Sequence, residues 1–363
     1  MQDRVQVRLR IEGLLQIWRT LRREDYDSLI EEIKRCEGQG GPDKAPAYFF
    51  GLRLRFEQQK LRAFITSVPT LWGEKIAVEI LREGPPIELN LGRLGFEKDG
   101  LEQFREAIRQ RHGLVIIAGP LESGKKTTIY AALTELDKAR LSIATAEWYF
   151  RRKLKGIQQT RVSDEGELDP ETAMKALLES DVDVIYFQEM LQSAVVDITV
   201  KAALSDKLIF TELHTVDAPH ALVQLSYRNI EHWKICDAVL LVNAQRLLRK
   251  LCFECREELT VNEKTLLEAG LSRERIRSAH IFRPAGCEAC GYTGYQGMVL
   301  VCETMPFTTD LKTAFSARAP SWELKKIAVQ GGMRTLRMSG LRKMLAGLTT
   351  LDEVLMNTPA DAS

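Results

Sequence analysis

A parallel, doubly wound α/β sheet, preceded by a smaller α+β domain, is the fold class that the sequence predicts. Three observations carry it. Beyond residue 113, a short continuous apolar run (114–118) and two mainly apolar ones (182–187 and 208–213) alternate with stretches of helical spacing. Such runs are too short for helices and read as strands buried on both faces. The first of them leads into Gly119-Pro120-Leu121-Glu122-Ser123-Gly124-Lys125, the pattern G-x-x-x-x-G-K, and then into a helix. Strands that alternate with helices give a sheet covered on both sides. Ligands of such sheets sit beyond the carboxyl ends of the strands.

The chain has 363 residues, which implies two or three domains. Residues 1–95 read as the α+β domain, and residues 96–363 as the sheet domain with a module at 252–290 and a helical region at 308–363. Within the first, Val5, Val7, Leu9 and Ile11 alternate with polar residues and predict one strand over 5–15 with a buried face. Leu29, Ile30 and Ile33 have helical spacing over 27–34. Three Gly and two Pro make 38–46 a loop. Runs at 49–56, 61–66 and 76–81 read as strands, the last two joined through Pro69 and Gly73, and Gly84-Pro85-Pro86 approaches a boundary. Leu101, Phe104 and Ile108 then share one helical face.

In the sheet domain the order is strand 114–118, helix 124–136, strand 141–145, a helix opened by Asp169 as cap with Pro170 after it, strand 182–187 and strand 208–213. A hydrophobic fraction of 45% and a charged fraction of 28% describe an ordinary globular chain. The net charge of +1 gives no support for a nucleic-acid partner, and none is expected. Charges among the first eight residues exclude a signal peptide there, and no run of eighteen apolar residues spans a bilayer. Membrane association is therefore expected to come through a partner.

The G-x-x-x-x-G-K pattern has a physical meaning. Backbone N–H groups at a helix N-terminus wrap a phosphate, and the lysine ammonium reaches its outer oxygens. Gly119, Ser123, Gly124, Lys125, Lys126 and Thr127 are the candidate nucleotide-binding residues here; a ligand-free glycine turn is the alternative. The residue after the lysine ordinarily supplies a hydroxyl to Mg²⁺, but here it is Lys126. Mg²⁺ then loses a ligand and meets an ammonium. Glu122 puts a carboxylate into a loop built for anions, where at ~4 Å like charges repel by about 1 to 4 kcal/mol, and stands where glycine torsions are useful. Both changes harm hydrolysis more than binding.

The run Gly113-Leu114-Val115-Ile116-Ile117-Ala118-Gly119-Pro120, with Thr127-Thr128-Ile129-Tyr130-Ala131-Ala132-Leu133 after it, resembles the phosphate-loop region of the secretion ATPase superfamily. It is most similar to the GspE/PilB branch, the assembly motors of type II secretion and type IV pili. Arg8-Leu9-Arg10-Ile11-Glu12-Gly13, Pro69-Thr70-Leu71-Trp72-Gly73-Glu74-Lys75, Gly332-Met333-Arg334-Thr335-Leu336 and Gly347-Leu348-Thr349-Thr350-Leu351-Asp352-Glu353-Val354-Leu355 extend the similarity over nearly the whole chain. The resemblance implies a RecA-like phosphate-loop NTPase core, with the chain beginning inside the family's second N-terminal domain, without the region that docks on the pilus or secretion platform.

It also implies roles for residues at strand ends. Asp181-Val182-Asp183-Val184-Ile185-Tyr186-Phe187-Gln188-Glu189-Met190-Leu191-Gln192 stands where the family has D-P-D-I-I-M-V-G-E-I-R-D, and keeps Glu189 for a metal-bound water. Thr145-Ala146-Glu147-Trp148-Tyr149-Phe150-Arg151 stands for T-x-E-D-P-x-E and keeps Glu147 as a base toward water, or else as a structural salt-bridge partner. Thr211-Glu212-Leu213-His214-Thr215-Val216-Asp217-Ala218 resembles T-L-H-T-N-D-A, so His214 positions the phosphate region or serves the structure alone. Arg246, in Ala244-Gln245-Arg246-Leu247, is structural or near the nucleotide. Family arginines that reach phosphates across subunit joints are replaced by Phe64, Glu79, Glu179, Leu191 and Gln224. Such arginines are worth ~10³ to 10⁵ in phosphoryl-transfer rate.

Of seven cysteines, Cys252, Cys255, Cys287 and Cys290 form two C-x-x-C pairs. Four thiolates on two knuckles suit tetrahedral Zn²⁺ and close its coordination, a structural site. The family carries a tetracysteine zinc module at this place, with a small helical insert expected at 261–276. Cys36, Cys236 and Cys302 read as small buried hydrophobes. The function expected is an ATP-binding member of this family with weak or absent hydrolysis, in a homo-hexamer or a mixed ring with an active paralogue. It would be cytoplasmic and reach the inner membrane through a platform protein; an active hexameric motor is the alternative.

Overall fold

The computed structural model describes residues 4–11, 13–36, 48–56, 59–82, 88–163, 168–189, 193–228 and 230–361. It divides into two compact units, Met1–Ile87 and Glu88–Ser363. The division precedes the boundary expected after residue 95, because Leu91 is fully buried in the same core as Phe104 and Ile108. The expected loop at 38–46, the Gly84-Pro85-Pro86 stretch and residues 190–192 lie outside the described residues.

In the first unit, β1 (Arg4–Ile11) and β2 (Leu14–Arg22) form an antiparallel hairpin. The single strand expected over 5–15 is thus two, divided near Gly13, which takes a left-handed φ of 83°. Its apolar face is less buried than the alternation suggested, with Ile11 49% exposed. Then come α1 (Arg23–Cys36) and the antiparallel strands β3 (Tyr48–Phe56), β4 (Gln59–Thr70) and β5 (Gly73–Arg82). Ala63, Ile65 and Ser67 alternate along β4 onto one buried face, as the two-residue period requires. Tyr26 Oη donates to Glu74 O at 2.6 Å and Lys34 Nζ to Glu74 Oε2 at 2.7 Å, tying α1 to the β4–β5 turn.

The second unit opens with α2 (Lys98–Ile108), β6 (Gly113–Ala118), α3 (Lys125–Glu135), β7 (Ile143–Glu147), β8 (Gln158–Arg161), α4 (Pro170–Glu179), β9 (Val184–Glu189), α5 (Ser193–Ser205) and β10 (Leu208–Leu213). It continues through α6 (Ala218–Ser226), α7 (His232–Ala238) and β11 (Val239–Leu251) into the cysteine module, with β12 (Glu257–Glu258), α8 (Glu263–Glu268), α9 (Arg273–Arg277) and β13 (Phe282–Arg283). It closes with β14 (Tyr295–Pro306), α10 (Thr309–Ser316), α11 (Ser321–Gln330), α12 (Leu336–Leu345) and α13 (Leu351–Asn357).

The central sheet has the order β14-β11-β6-β10-β9-β7-β8, parallel throughout except for β14 at one edge. Along β6, Leu114, Ile116 and Ala118 enter the core on one face, and Val115 and Ile117 the core on the other. This two-sided burial is why the strand reads as an unbroken apolar run. Helix α3 is buried nearly all round and carries no polar stripe. Asp169 caps α4 as expected, its Oδ1 accepting from the N–H groups of Glu171 and Thr172, both at 3.0 Å. Cys236 and Cys302 are buried, matching their reading as small hydrophobes. No helix among the described residues is long and apolar enough to cross a membrane.

Candidate functional site

The carboxyl ends of β6, β7, β9 and β10 meet the middle of β11 on one side of the sheet. Ala118 at the end of β6 pairs with Leu213 of β10 and with Ala244 of β11, and Glu212 of β10 pairs with Glu189 of β9. β9 and β10 therefore deliver their final side chains, and β11 its central ones, beside the loop that follows β6. Gly119 there has φ 151°, and a Cβ on it would lie 2.6 Å from the backbone oxygen of Gln245, so only glycine fits. Gly124, at φ 85°, turns the chain into α3.

Glu122 adopts φ 60°, the left-handed region, without being glycine. For an L-residue this costs roughly 1 to 2 kcal/mol. Part of any gain from glycine is lost to the freer unfolded chain. Glu122→Gly is accordingly expected to stabilise the protein by up to about 1 kcal/mol, read as a rise in the urea midpoint.

Lys125 is folded back onto its own loop. Its Nζ donates to Pro120 O at 2.8 Å and Gly119 O at 3.0 Å, and lies 3.5 Å from His214 Nδ1 and 3.9 Å from Glu212 Oε2. His214 Nε2 meets Glu189 Oε1 at 3.2 Å. These contacts assign the tautomer with the proton on Nε2, leaving Nδ1 to accept from the ammonium. Burial pushes the Lys125 ammonium below its usual range and Glu212 above the usual carboxylate range. Glu212, which also accepts a hydrogen bond from Tyr186 Oη, is a site acid that sequence reasoning passed over. Thr127 lies half-buried in the first turn of α3.

Lys126 points inward rather than to solvent. Its Nζ donates to Tyr149 O at 2.7 Å and Gln188 Oε1 at 3.1 Å, and lies 3.1 Å from Glu147 Oε2. The ammonium also lies 4.0 Å from the centre of the Tyr149 ring. Burial lowers its pKa, against the pull of Glu147. Glu147 itself is 0% exposed. Its Oε2 accepts from Tyr130 Oη at 2.6 Å as well as from Lys126, and its Oε1 accepts from Thr145 Oγ1 at 2.7 Å and Gln159 Nε2 at 3.4 Å. All of its lone-pair positions are taken by protein.

A third layer braces the loop from below. Gln245 Nε2 donates to Ser123 O at 2.9 Å, and its Oε1 accepts from Thr128 at 3.0 Å and from Asn243 at 3.1 Å. Arg246 donates to the backbone of the turn after His214, at 3.4 Å to Thr215 O and 2.5 Å to Val216 O. Here it holds the turn. Of the positions that replace family arginines, Phe64 and Glu79 are register partners across β4 and β5, Glu179 ends α4 exposed, and Gln224 lies in α6. Leu191 is outside the described residues.

Two ligands implied by the loop fare differently. A phosphate fits: the Ser123 hydroxyl is buried in the loop with no protein partner, and helix N-terminal N–H groups are the usual anion seat. A divalent cation does not. Where a hydroxyl ligand belongs there is an ammonium, already bridging α3 to the ends of β7 and β9.

The four cysteines converge on one point, their sulfurs all within 4.8 Å of one another. Cys252 and Cys287, and Cys255 and Cys290, are each 3.9 Å apart, and Cys287 and Cys290 3.8 Å. Zn–S bonds of about 2.3 Å in a tetrahedron put sulfurs ~3.8 Å apart, so the cluster has the spacing that zinc requires. N–H groups of Cys287 and Gly294 donate to Cys290 Sγ, both at 3.2 Å, and the first of these brings that thiol down to about 6.

The family model described as "Type II/IV secretion system protein" matches residues 1–356. The type IV pilus assembly ATPase PilB of Myxococcus xanthus is 38% identical over 298 residues, 82% of this chain and 52% of that protein. PilB of Thermus thermophilus is 34% identical over 98% of this chain and 40% of its own length. Type II secretion system protein E of Dickeya dadantii is 31% identical over 97% of this chain and 70% of its own length. The chain thus spans about half the length of the curated pilus relatives it matches. Among solved structures, the pilus retraction motor PilT with bound ADP is similar at a TM-score of 0.64 and 19% identity, over 97% of this chain and 90% of that one. The Legionella pneumophila ATPase DotB gives 0.66 at 14% identity, over 98% and 90%.

Proposed function

The chain belongs to the type II/IV secretion system protein family, and from that premise we propose that it is a nucleotide-binding member with weak or absent ATP hydrolysis, acting as a regulatory or scaffold subunit. The observation that carries this is the enclosure of Glu147. A carboxylate that is to polarise a water needs a lone pair directed at it, and here four protein donors take them all. Glu212, 3.9 Å from Lys125, competes with phosphate for that ammonium. The replaced arginines at Phe64, Glu79, Glu179 and Gln224 leave no positive charge at those positions to stabilise transfer.

The orphan Ser123 hydroxyl and the Gln245 brace support retained ATP or ADP binding. Four sulfurs at tetrahedral spacing support one structural Zn²⁺. By the family's architecture the subunit would sit in a homo-hexameric ring, or a mixed ring with an active paralogue, under an inner-membrane platform protein and without nucleic acid. One contact chain favours the second reading, an active motor for pilus or pseudopilus assembly: Lys125, His214 and Glu189 remain linked at the ends of β9 and β10. Steady-state turnover of Mg-ATP by the purified protein separates the two. Background rates are expected, whereas kcat within tenfold of about 1 s⁻¹ establishes the motor reading.

A further inference from the structure

The geometry points to Lys126 as a built-in substitute for the divalent cation, so that this site takes nucleoside di- and triphosphates in their metal-free form. The inference deepens the nucleotide-binding half of the proposed function and rests on it. Its basis is the placement of one side chain. Position 126 follows the loop lysine, where the metal-holding hydroxyl belongs. From there the Lys126 chain crosses to the ends of both neighbouring strands, donating to Gln188 Oε1 at 3.1 Å and lying 3.1 Å from Glu147 Oε2. These strand ends are where acids would otherwise hold the ion or its waters. Tyr149 O takes the third ammonium hydrogen at 2.7 Å. Lys126 is buried, only 7% exposed.

Two consequences follow from charge alone. A dication brought to this seat meets the Lys126 ammonium, which already holds Tyr149 O, Gln188 Oε1 and Glu147 Oε2. Lys125 and Lys126 are both buried beside a carboxylate, Glu212 at 3.9 Å and Glu147 at 3.1 Å, so the positive charge offered to a phosphate chain is the part that those acids leave uncancelled. The anchors at Gln188, Glu147 and Tyr149 keep the second charge from swinging away.

The test is calorimetric titration of ATP and ADP into the zinc-loaded protein, in buffer freed of divalent ions by resin and again with excess Mg²⁺. A resin-treated buffer, unlike a strong chelator, leaves a tetrathiolate zinc in place. Affinities within about threefold of each other are expected, and an affinity at least tenfold weaker without Mg²⁺ overturns the inference. Independently, protein titrated into Mn²⁺·ATP is expected to raise the free Mn²⁺ signal in electron paramagnetic resonance as nucleotide is taken up and the ion is released. A falling free signal overturns it. Lys126→Thr is expected to acquire a metal dependence of tenfold or more; unchanged metal-independent binding by a folded variant overturns the assignment to Lys126. Strict Mg²⁺ dependence without turnover sinks this inference alone, metal-free binding together with fast turnover sinks the low-hydrolysis reading alone, and no binding in either buffer sinks the inference and the nucleotide-binding claim together.

Discussion

Glu147→Ala is expected to destabilise the protein by about 3 to 5 kcal/mol, the cost of stripping one partner from a buried ion pair. The carboxylate is fully buried and ties β7 to α3 through Lys126 and Tyr130, and to the segment before β8 through Gln159. Removing it leaves a buried ammonium without its counter-charge and the Tyr130 hydroxyl without its acceptor. Burial holds the Tyr130 pKa high, so that phenol stays neutral and needs a partner. The companion variant Lys126→Met removes the opposite charge. Because an unpaired buried charge costs more than an absent pair, Glu147→Ala/Lys126→Met is expected to lose less than the sum of the single variants, with a coupling of about 1 to 3 kcal/mol. Urea unfolding of the four proteins measures it. A loss below about 1 kcal/mol for Glu147→Ala, with additive behaviour in the double variant, would mean that Glu147 is not a structural keystone and would reopen its role toward water.

The structure changes how the two departures in the phosphate loop are understood. From sequence, Lys126 subtracts a hydroxyl, and Glu122 puts charge and strain into the loop. In the folded protein Glu122 indeed occupies a left-handed backbone position. Lys126 is different: it is compensated by Glu147, Gln188 and the Tyr149 backbone, a set drawn from three separate segments. Of the two departures, Lys126 alone is part of a buried polar network.

What the sequence made legible followed from local periodicity. The two-faced burial of β6, β9 and β10 and the Asp169 cap are short-range patterns, and their positions hold to within a few residues. The strands that local pattern missed are those set by distant partners. β8 is four residues long and mostly polar, and exists because β7 offers it an edge. β14 runs antiparallel along β11, a pairing that no local signal announces. At the site, motif spacing brought Lys125, Glu189 and His214 together on the page as it does in space. Gln245 and Glu212, inside strands, and Tyr130, inside helix α3, escaped because their importance lies in what they touch, which local pattern does not reveal.

The two cysteine knuckles should respond together to loss of their metal, because the sulfurs are what joins them. The insert between them is instead anchored by Leu266, Ala269, Leu271 and Ile281 in the hydrophobic core. Zinc bound by four thiolates contributes of order 10 to 16 kcal/mol at neutral pH, against few apolar contacts among Cys252, Cys255, Cys287 and Cys290. Only Cys252 of the four is buried. The purified protein is expected to carry about one zinc per chain, and Cys290→Ser none, since three thiolates leave the coordination open. Unfolding is expected to remain local at first. The Cys252 N–H donates to Gly294 O, just before β14, at 3.0 Å. The Leu251 N–H donates to Leu348 O, in the loop between α12 and α13, at 2.9 Å, so the module's first knuckle is fixed to the end of β11 and to that loop. Strands β11 and β14 stay paired from Leu241↔Pro306 to Leu251↔Tyr295 without help from the metal. Hydrogen exchange should therefore show protection lost at residues 252–256 and 286–294 in Cys290→Ser, while the insert around Leu266 and Leu271 and strands β6 and β10 retain theirs. Unchanged protection in a zinc-free protein would show that packing alone holds the module. Loss that spreads through β6 would show instead that the zinc site is a keystone of the whole sheet.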